Sequence, residues 1–201
     1  IIVAGGSSND VMWPAIQKGA SLAYNALKFQ GYRDDDIYFM SPVTFSVGVD
    51  GTATISNLNY AITTWAATNT QDLVVYLIGN GEDGRFQISA TETLNVSNLN
   101  IFINVLQNKI PGLVTVIYDA PRSGSFIAAL APPPQGKQRI VLTSTGKEQS
   151  ANYLSSGDVS FSKYFWSRVF NGTDIRGAFL HAKNAMSLLT GSKQLAGMDD
   201  N

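Results

Sequence analysis

The sequence contains no cysteine and only one histidine among its 201 residues. Without cysteine, the chain cannot form disulfides, thiolate nucleophiles or cysteine metal sites. Charged residues are also scarce, at 14%, and the formal net charge is −1. A nearly neutral chain has no strong field to attract nucleic acid or an anionic membrane surface, so we expect neither as a partner.

Long apolar runs are missing as well. No run approaches the length of a membrane span, so we expect no membrane insertion. The opening "IIVAGG" lacks the length and the basic flank of a signal peptide and is typical of a first strand, while the final "GMDDN" is acidic and polar. We interpret residues 1–201 as a single domain that belongs to a longer protein.

The apolar residues that are present fall into short strand-like runs separated by amphipathic stretches. A proline-rich segment at 131–137 predicts a stiff surface connection, and residues 84–95 predict a small hairpin. This alternation predicts an α/β fold, a three-layer α/β/α sandwich with a mainly parallel sheet. The predicted strands are Ile1–Ala4, Ile37–Met40, Leu73–Ile78, Val114–Tyr118 and Ile140–Leu142. The predicted helices cover residues 14–30, a segment capped by Ser56, a segment capped by Ser97, and residues 160–171 and 174–190.

The loops that follow the predicted strands are the first place to look for function, because α/β sheets bind ligands at the carboxyl ends of their strands. These loops cover residues 5–10, 79–84, 119–125 and 143–147. The first one is rich in glycine and suits either a phosphate cradle or a tight turn. It matches neither G-x-G-x-x-G nor a P-loop, yet a nucleotide-binding or small-molecule-binding domain stays open as an alternative.

These loops contain no recognisable pair of nucleophile and base. The only histidine, His181, is predicted on the outer side of the last helix, and no G-x-S-x-G elbow exists. Ser123 and Ser125 have no base nearby in sequence, although a hydrolase that uses one of them with Asp119 stays open. The residues therefore favour a binding or structural domain over an enzyme.

Adjacent acids in the second loop are the remaining candidates for chemistry. Glu82 and Asp83 stand side by side, and neighbouring carboxylates in a glycine-rich loop usually diverge into solvent. Weak cation binding by these two acids together with Asp119 is an alternative. We expect no metal centre and no cofactor.

Several landmarks along nearly the whole chain resemble one family. They include "IIVAGG", "DLVVYLIGNGEDGRF", "VTVIYDAPRSGSF", "KQRIVLTST" and "FSKYFWSRVFNG". In these landmarks the chain resembles the caspase-like fold of clan CD cysteine peptidases, most closely the legumain-like (C13) group found in bacterial multidomain proteins. Together with the low charge and the many Asn, Ser and Thr residues, the resemblance implies an extracellular or cell-surface bacterial protein.

The resemblance also implies that both catalytic residues have been replaced. In active members, a histidine followed by glycine ends the third strand, and a cysteine follows Ala after the fourth. Asn80 stands at the histidine position and Pro121 at the cysteine position. Asparagine cannot act as a base near neutral pH, and proline has neither a nucleophile nor a backbone N–H. The implied function is a catalytically inactive peptidase homologue, a pseudopeptidase that acts as a binding or structural module.

Such a homologue could keep a cleft for a peptide or for other domains of its parent protein. Relatives hold an extended peptide beside the fifth strand by main-chain hydrogen bonds, so Ser144 and Thr145 are expected in the cleft wall. Arg122 would favour binding of a peptide through an acidic side chain or a chain-terminal carboxylate. The opposite expectation is a collapsed cleft that Phe126 fills. The expected cleft residues are Gly79, Gly81, Asp119, Arg122, Ser123, Ser125, Ser144 and Thr145, around the positions of Asn80 and Pro121.

Overall fold

The computed structural model describes residues 1–43, 47–68 and 70–200, and its centre is a seven-stranded sheet. The strands, in chain order, are β1 (Ile2–Ala4), β2 (Phe39–Met40), β3 (Val49–Gly51), β4 (Leu73–Ile78), β5 (Gly81–Glu82), β6 (Arg85–Gln87), β7 (Thr93–Asn95), β8 (Val114–Asp119), β9 (Arg139–Thr143) and β10 (Gly197–Asp200). The large sheet has the order β10-β9-β8-β4-β1-β2-β3, and only the β10–β9 pair is antiparallel. The predicted mainly parallel sheet is confirmed.

Helices cover both faces of this sheet. They are α1 (Trp13–Phe29), α2 (Ile55–Tyr60), which continues as a π-helical turn over Ala61–Trp65, α3 (Val96–Gln107), α4 (Ser125–Leu130), α5 (Phe161–Phe170) and α6 (Ile175–Leu189). Helices α1, α5 and α6 form one layer, and α2, α3 and α4 form the other. The predicted three-layer sandwich is therefore confirmed.

The two central strands show why their sequences are apolar throughout. In β4, Val75 and Leu77 join the core beneath α2 and α3, whereas Tyr76 and Ile78 join the core beneath α1 and α5. In β8, Val116 and Tyr118 face the first of these cores and Ile117 faces the second. Successive side chains point to opposite faces, so a strand covered on both sides needs apolar residues at every position.

Two predicted helix caps were wrong. Helix α2 is capped by Thr54, whose Oγ1 accepts a hydrogen bond from Asn57 N at 3.1 Å, while Ser56 lies inside the helix and is exposed. The N-cap residue of helix α3 is Asn95, whose side chain makes no capping hydrogen bond with the described residues. The helix begins at Val96, directly after β7, and Val96 N donates to Gly84 O at 2.9 Å. Strand β7 belongs to a separate three-stranded sheet of β5, β6 and β7, called the small sheet below. The small sheet therefore sets where α3 starts, and Ser97 is not needed.

Several elements were not predicted. The hairpin expected at residues 84–95 is confirmed as β6 and β7, but β5 joins them in a three-stranded antiparallel sheet. The short helix α4 begins at Ser125, the end of the predicted loop, and covers residues to which no element was assigned, and the polar segment Gly197–Asp200 forms the edge strand β10. No helix in the described part of the chain is long and apolar enough to cross a membrane.

Candidate functional site

The predicted vestigial positions lie at the carboxyl ends of neighbouring strands. Strands β4 and β8 pair in parallel, with Ile78 opposite Asp119. The loop after β4 and the loop after β8 therefore leave the sheet side by side, and Gly79 N donates to Asp119 O at 3.2 Å. Gly81 has no room for a side chain, because a Cβ there would overlap the Tyr118 hydroxyl and the Pro121 carbonyl oxygen. The loops that carry Asn80 and Pro121 are thus in direct contact.

Asn80 is held by a carboxylate from the first loop. Its Nδ2 donates to Asp10 Oδ2 at 2.6 Å, and Asp10 Oδ1 accepts from Met12 N at 2.8 Å, just before α1. Gln87 N donates to Asn80 O at 3.0 Å. From the sequence, Asp10 was expected in a loop at this edge, with no role assigned to it. A sequence pattern could have indicated a role for Asp10: a strand is followed by a glycine turn, and an aspartate then stands shortly before the next helix.

The same contacts disfavour a phosphate site in the first loop. Asp10 already puts a negative charge at the start of α1, where a phosphate would bind. The small sheet also covers the end of β1, because a Cβ on Gly5 would overlap the Phe86 ring and approach Gln87 O to 2.6 Å. Gly6 has a φ of +97°, as expected for the tight turn.

Pro121 and Arg122 lie in a tightly bound loop. Arg122 has a left-handed φ of +57°, and its N–H donates to Gln149 O at 2.8 Å. Its carbonyl accepts from both the N–H and the hydroxyl of Ser125, at 3.0 and 2.7 Å. The Arg122 side chain is exposed and forms no ion pair within the described residues. The main chain of this loop is therefore fixed, and only the guanidinium is free.

Ser123, Ser144 and Thr145, which were expected to line the cleft, are fully buried. Ser123 Oγ and Thr145 Oγ1 are 3.0 Å apart, and each accepts from the other residue's main-chain N–H at 3.0 Å. Ser144 N donates to Tyr118 O, and Ser144 O accepts from Gln194 Nε2 at 3.1 Å. The main-chain groups expected to hold a peptide are thus paired within the chain.

Asp119 was expected in the cleft floor, but its side chain points into the layer of α5. It is 1% exposed. Its Oδ2 accepts from the hydroxyl and from the N–H of Ser162, and its Oδ1 accepts from the Tyr153 hydroxyl at 3.1 Å. Burial raises the pKa of Asp119, and these hydrogen bonds oppose that shift in part. The carboxylate holds the strand end against the helix layer.

Neither serine of the loop is positioned for activation by an acid. The Ser125 hydroxyl donates to Arg122 O and accepts from Gly84 N at 2.9 Å, so it joins α4 to the small sheet. Ser123 is bound to Thr145, and Asp119 is bound to Ser162 and Tyr153. The arrangement does not contain the serine–acid pair that the hydrolase alternative requires.

The open space at this edge lies beside Asn80 and away from Pro121. A pocket of about 310 Å³ is lined by Asn80, Gly81, Glu82, Arg85, Gln87 and Thr93. Beneath the Pro121 loop, the buried Phe126 ring packs on Tyr118 with centroids 4.3 Å apart. The expected cleft is therefore filled near Pro121 and open toward the small sheet.

The remaining candidate groups are dispersed. Glu82 faces Arg85 at 3.9 Å and Asp83 faces Lys147 at 3.8 Å, so both acids diverge from the buried Asp119. The described ranges contain no cluster of three or more His, Asp or Glu side chains that could hold a metal ion. His181 lies on α6, half-buried, with Nδ1 3.2 Å from an Arg168 nitrogen. Partial burial and Arg168 lower the pKa of His181.

Comparison with known proteins supports the fold class. No family model matches the sequence, and no curated protein sequence matches it. Among solved structures, the crystal structure of caspase-1 from Spodoptera frugiperda is similar, with a TM-score of 0.68. The match covers 98% of this chain and 84% of that chain, at 14% sequence identity. The chain therefore has a caspase-like fold.

Proposed function

We propose that this domain is a catalytically inactive homologue of the caspase-like peptidases, of the legumain-like group, and that it acts as a binding or structural module. The observation that carries the proposal is the contact between the Asn80 loop and the Pro121 loop at the ends of β4 and β8. The resemblance assigns a histidine and a cysteine to these two positions. An asparagine amide and a proline ring supply neither a general base nor a nucleophile.

The polar groups around the two residues support the same conclusion. The Asn80 amide is bound to Asp10, and the hydroxyls of Ser123 and Ser125 are bound to Thr145 and to the main chain of Arg122. Each candidate group is thus used to hold the loops together. This pattern favours a scaffold whose catalytic edge has become a set of structural contacts.

The direct test is hydrolysis of a peptide library with Asn, Asp, Arg or Lys at the cleavage position. We expect no turnover. Turnover that stays with the protein through a second purification, and that Ser123→Ala or Ser125→Ala abolishes, would establish the hydrolase alternative instead.

A sharper test restores the two assigned residues. We expect the thiol of Pro121→Cys to react faster with iodoacetamide when Asn80→His is also present, because an adjacent imidazolium lowers a thiol pKa. Asp10, which now binds the Asn80 amide, would orient the imidazole. The matched control is Ser150→Cys, an exposed position, whose reactivity Asn80→His should leave unchanged. Equal reactivity of the single and double variants at position 121 would contradict the assignment of the two positions.

The proposed binding role rests on the Arg122 side chain, which the loop after β8 leaves exposed. Arg122 offers a free guanidinium, and we predict that it recognises acidic peptides or a chain-terminal carboxylate. An array of acidic peptides should lose signal with Arg122→Ala and keep it with Arg176→Ala, which removes an exposed cation from α6. Equal signals for the two variants would exclude this role and favour a structural one. An extracellular bacterial location stays a prediction from composition and resemblance.

A further inference from the structure

A second cavity lies at the opposite edge of the sheet, where the strands begin. It measures about 750 Å³ and is formed by the segment before β2, the π-helical turn and the segment before β4. Three aromatic residues, Tyr32, Tyr60 and Trp65, contribute to its lining. We call this cavity the aromatic bowl. None of its lining residues belongs to the site around Asn80 and Pro121.

The π-helical turn explains how two of these rings reach the same cavity. Tyr60 and Trp65 are five residues apart, which would separate them by about 140° on a regular α-helix. Ala66 N donates to Ala61 O at 2.9 Å, the i to i+5 bond of a π-turn, so the widened turn brings Trp65 back toward Tyr60. Both rings contact Tyr38 edge-on, with centroids 6.3 and 5.4 Å away. Tyr60 still remains 51% exposed. Turns of this kind are frequent at functional sites.

The charge of the bowl is negative. Three carboxylates, of Asp35, Asp36 and Asp72, and one guanidinium, of Arg33, line it. Arg33 and Asp36 form a two-point ion pair at 3.0 and 3.1 Å and neutralise each other. Asp72 Oδ1 accepts from Leu113 N at 2.7 Å, and Asp35 forms neither an ion pair nor a hydrogen bond within the described residues. The field in the bowl therefore attracts a cation.

An apolar niche extends inward from the bowl. This cavity of about 120 Å³ shares Tyr32, Trp65, Asp36 and Asp72 with the bowl at its outer end. Farther in, it continues between the apolar side chains of Leu27, Ile37 and Trp166. The indole N–H of Trp166 is buried and makes no hydrogen bond of ordinary geometry to the described residues, although the Tyr76 hydroxyl lies near it. That hydroxyl is paired with Ser162 Oγ at 2.6 Å. An apolar chain placed between Leu27, Ile37 and Trp166 would be removed from water by these side chains.

We propose that the aromatic bowl binds an organic ammonium ion that carries a short apolar chain. The ammonium group lies against the faces of Tyr60 and Trp65 beside Asp35, because ring faces and a carboxylate both attract a positive charge. The apolar chain enters the niche next to Trp166. This site is separate from the Asn80 and Pro121 edge, so it stands or falls independently of the proposed function.

The test is calorimetric titration with butyltrimethylammonium. Three comparison ligands separate the contributions: tetramethylammonium lacks the chain, butanesulfonate has the chain with the opposite charge, and maltose probes a neutral carbohydrate. Each methylene buried in the niche should strengthen binding about fourfold over tetramethylammonium. Affinity for the ammonium should fall as salt is added. Butanesulfonate and maltose should not bind.

Two variants and one matched control locate the site. Asp35→Asn should weaken butyltrimethylammonium binding about fivefold, the effect of one solvated charge near 4 Å. Tyr60→Leu should weaken it about two- to fivefold through loss of one ring face. Asp83→Asn removes the same charge at the opposite edge of the sheet and should have no effect. Binding of butanesulfonate or maltose, equal effects of the two aspartate variants, or no ammonium binding at millimolar concentration would each overturn the proposal.

Discussion

The carboxylate of Asp119 accepts hydrogen bonds from both the hydroxyl and the main-chain N–H of Ser162. This contact joins the last residue of β8 to the first turn of α5, across 43 residues of sequence. Tyr153 completes the arrangement from the loop before α5. No Lys or Arg in the described part of the chain forms an ion pair with Asp119, so hydroxyl and amide donors alone stabilise its charge.

The stability of the domain should depend on pH through Asp119. Burial raises the folded-state pKa of Asp119, so the folded protein holds this proton more tightly than the unfolded chain. The stabilisation is fully present below the unfolded-state pKa and is lost as pH rises through the folded-state pKa. Asp119→Asn removes this titration, so the free energy of unfolding of the wild type minus that of the variant should fall as the pH rises above about 4, the ordinary pKa of an aspartate. Urea unfolding at several pH values measures this difference.

An exposed acid serves as the control for this experiment. Asp83→Asn removes a carboxylate near the same edge, where it faces Lys147 across solvent. The pH dependence measured for this variant is subtracted from that of Asp119→Asn, so that the contribution of the buried carboxylate remains. A difference for Asp119→Asn that grows with rising pH would contradict the raised pKa.

Arg139 should be essential to the packing of α3 and α4 against β9. It is 1% exposed and makes five hydrogen bonds to neutral acceptors, the side chains of Asn100, Asn104 and Gln107 and the carbonyl of Leu130. Burial lowers its pKa to about 10, so the guanidinium stays charged at neutral pH. Lysine has three donors and cannot reach all these acceptors, so Arg139→Lys should cost about 2–3 kcal/mol in urea unfolding.

The control for Arg139 is Arg176→Lys, an exposed residue paired with Asp200 at 3.2 Å. This change should alter the free energy of unfolding very little, since surface pairs contribute little. If Arg139→Lys is as well tolerated as Arg176→Lys, the five hydrogen bonds do not hold the helices in place.

The contact between the Asn80 and Pro121 loops should be sensitive to a single methyl group. A Cβ on Gly81 would overlap the Tyr118 hydroxyl and the main chain of Pro121, so Gly81→Ala should destabilise the fold by about 1–3 kcal/mol. Gly51 is the matched control, because a Cβ there lies at least 3.5 Å from its neighbours. Gly51→Ala should stay within about 1 kcal/mol of the wild type. If thermal or urea unfolding shows that Gly51→Ala is less stable than Gly81→Ala, the loop contact is refuted.

The structure and the sequence prediction assign different N-cap residues to α2. Thr54 accepts the hydrogen bond from Asn57 N, so Thr54→Ala should cost about 1 kcal/mol. Ser56→Ala should have almost no effect, or stabilise slightly, because Ser56 is an exposed position inside the helix. The opposite ranking in urea unfolding would restore Ser56 as the cap.

The fold class could be predicted from the sequence. The runs Leu73–Ile78 and Val114–Tyr118 are apolar at every position because both faces of the sheet are covered, and that pattern is a local property. The absence of cysteine and the identities of Asn80 and Pro121 are equally direct. These features depend on residue type and spacing, so no tertiary contact was needed to find them.

Side-chain direction at the sheet edge was decided only by the tertiary structure. Asp119 and Thr145 follow strands and were expected in a cleft, yet their side chains bind distant segments, Ser162 for Asp119 and Ser123 for Thr145. The side chain of Ser144 is buried as well, and its main-chain carbonyl accepts from Gln194. The polar strand β10 exists because β9 offers it an unpaired edge. The aromatic bowl combines segments near residues 32–36, 60–65 and 70–72. Contacts between segments so far apart leave no periodic pattern in sequence, because they depend on which elements pack together once the sheet has formed.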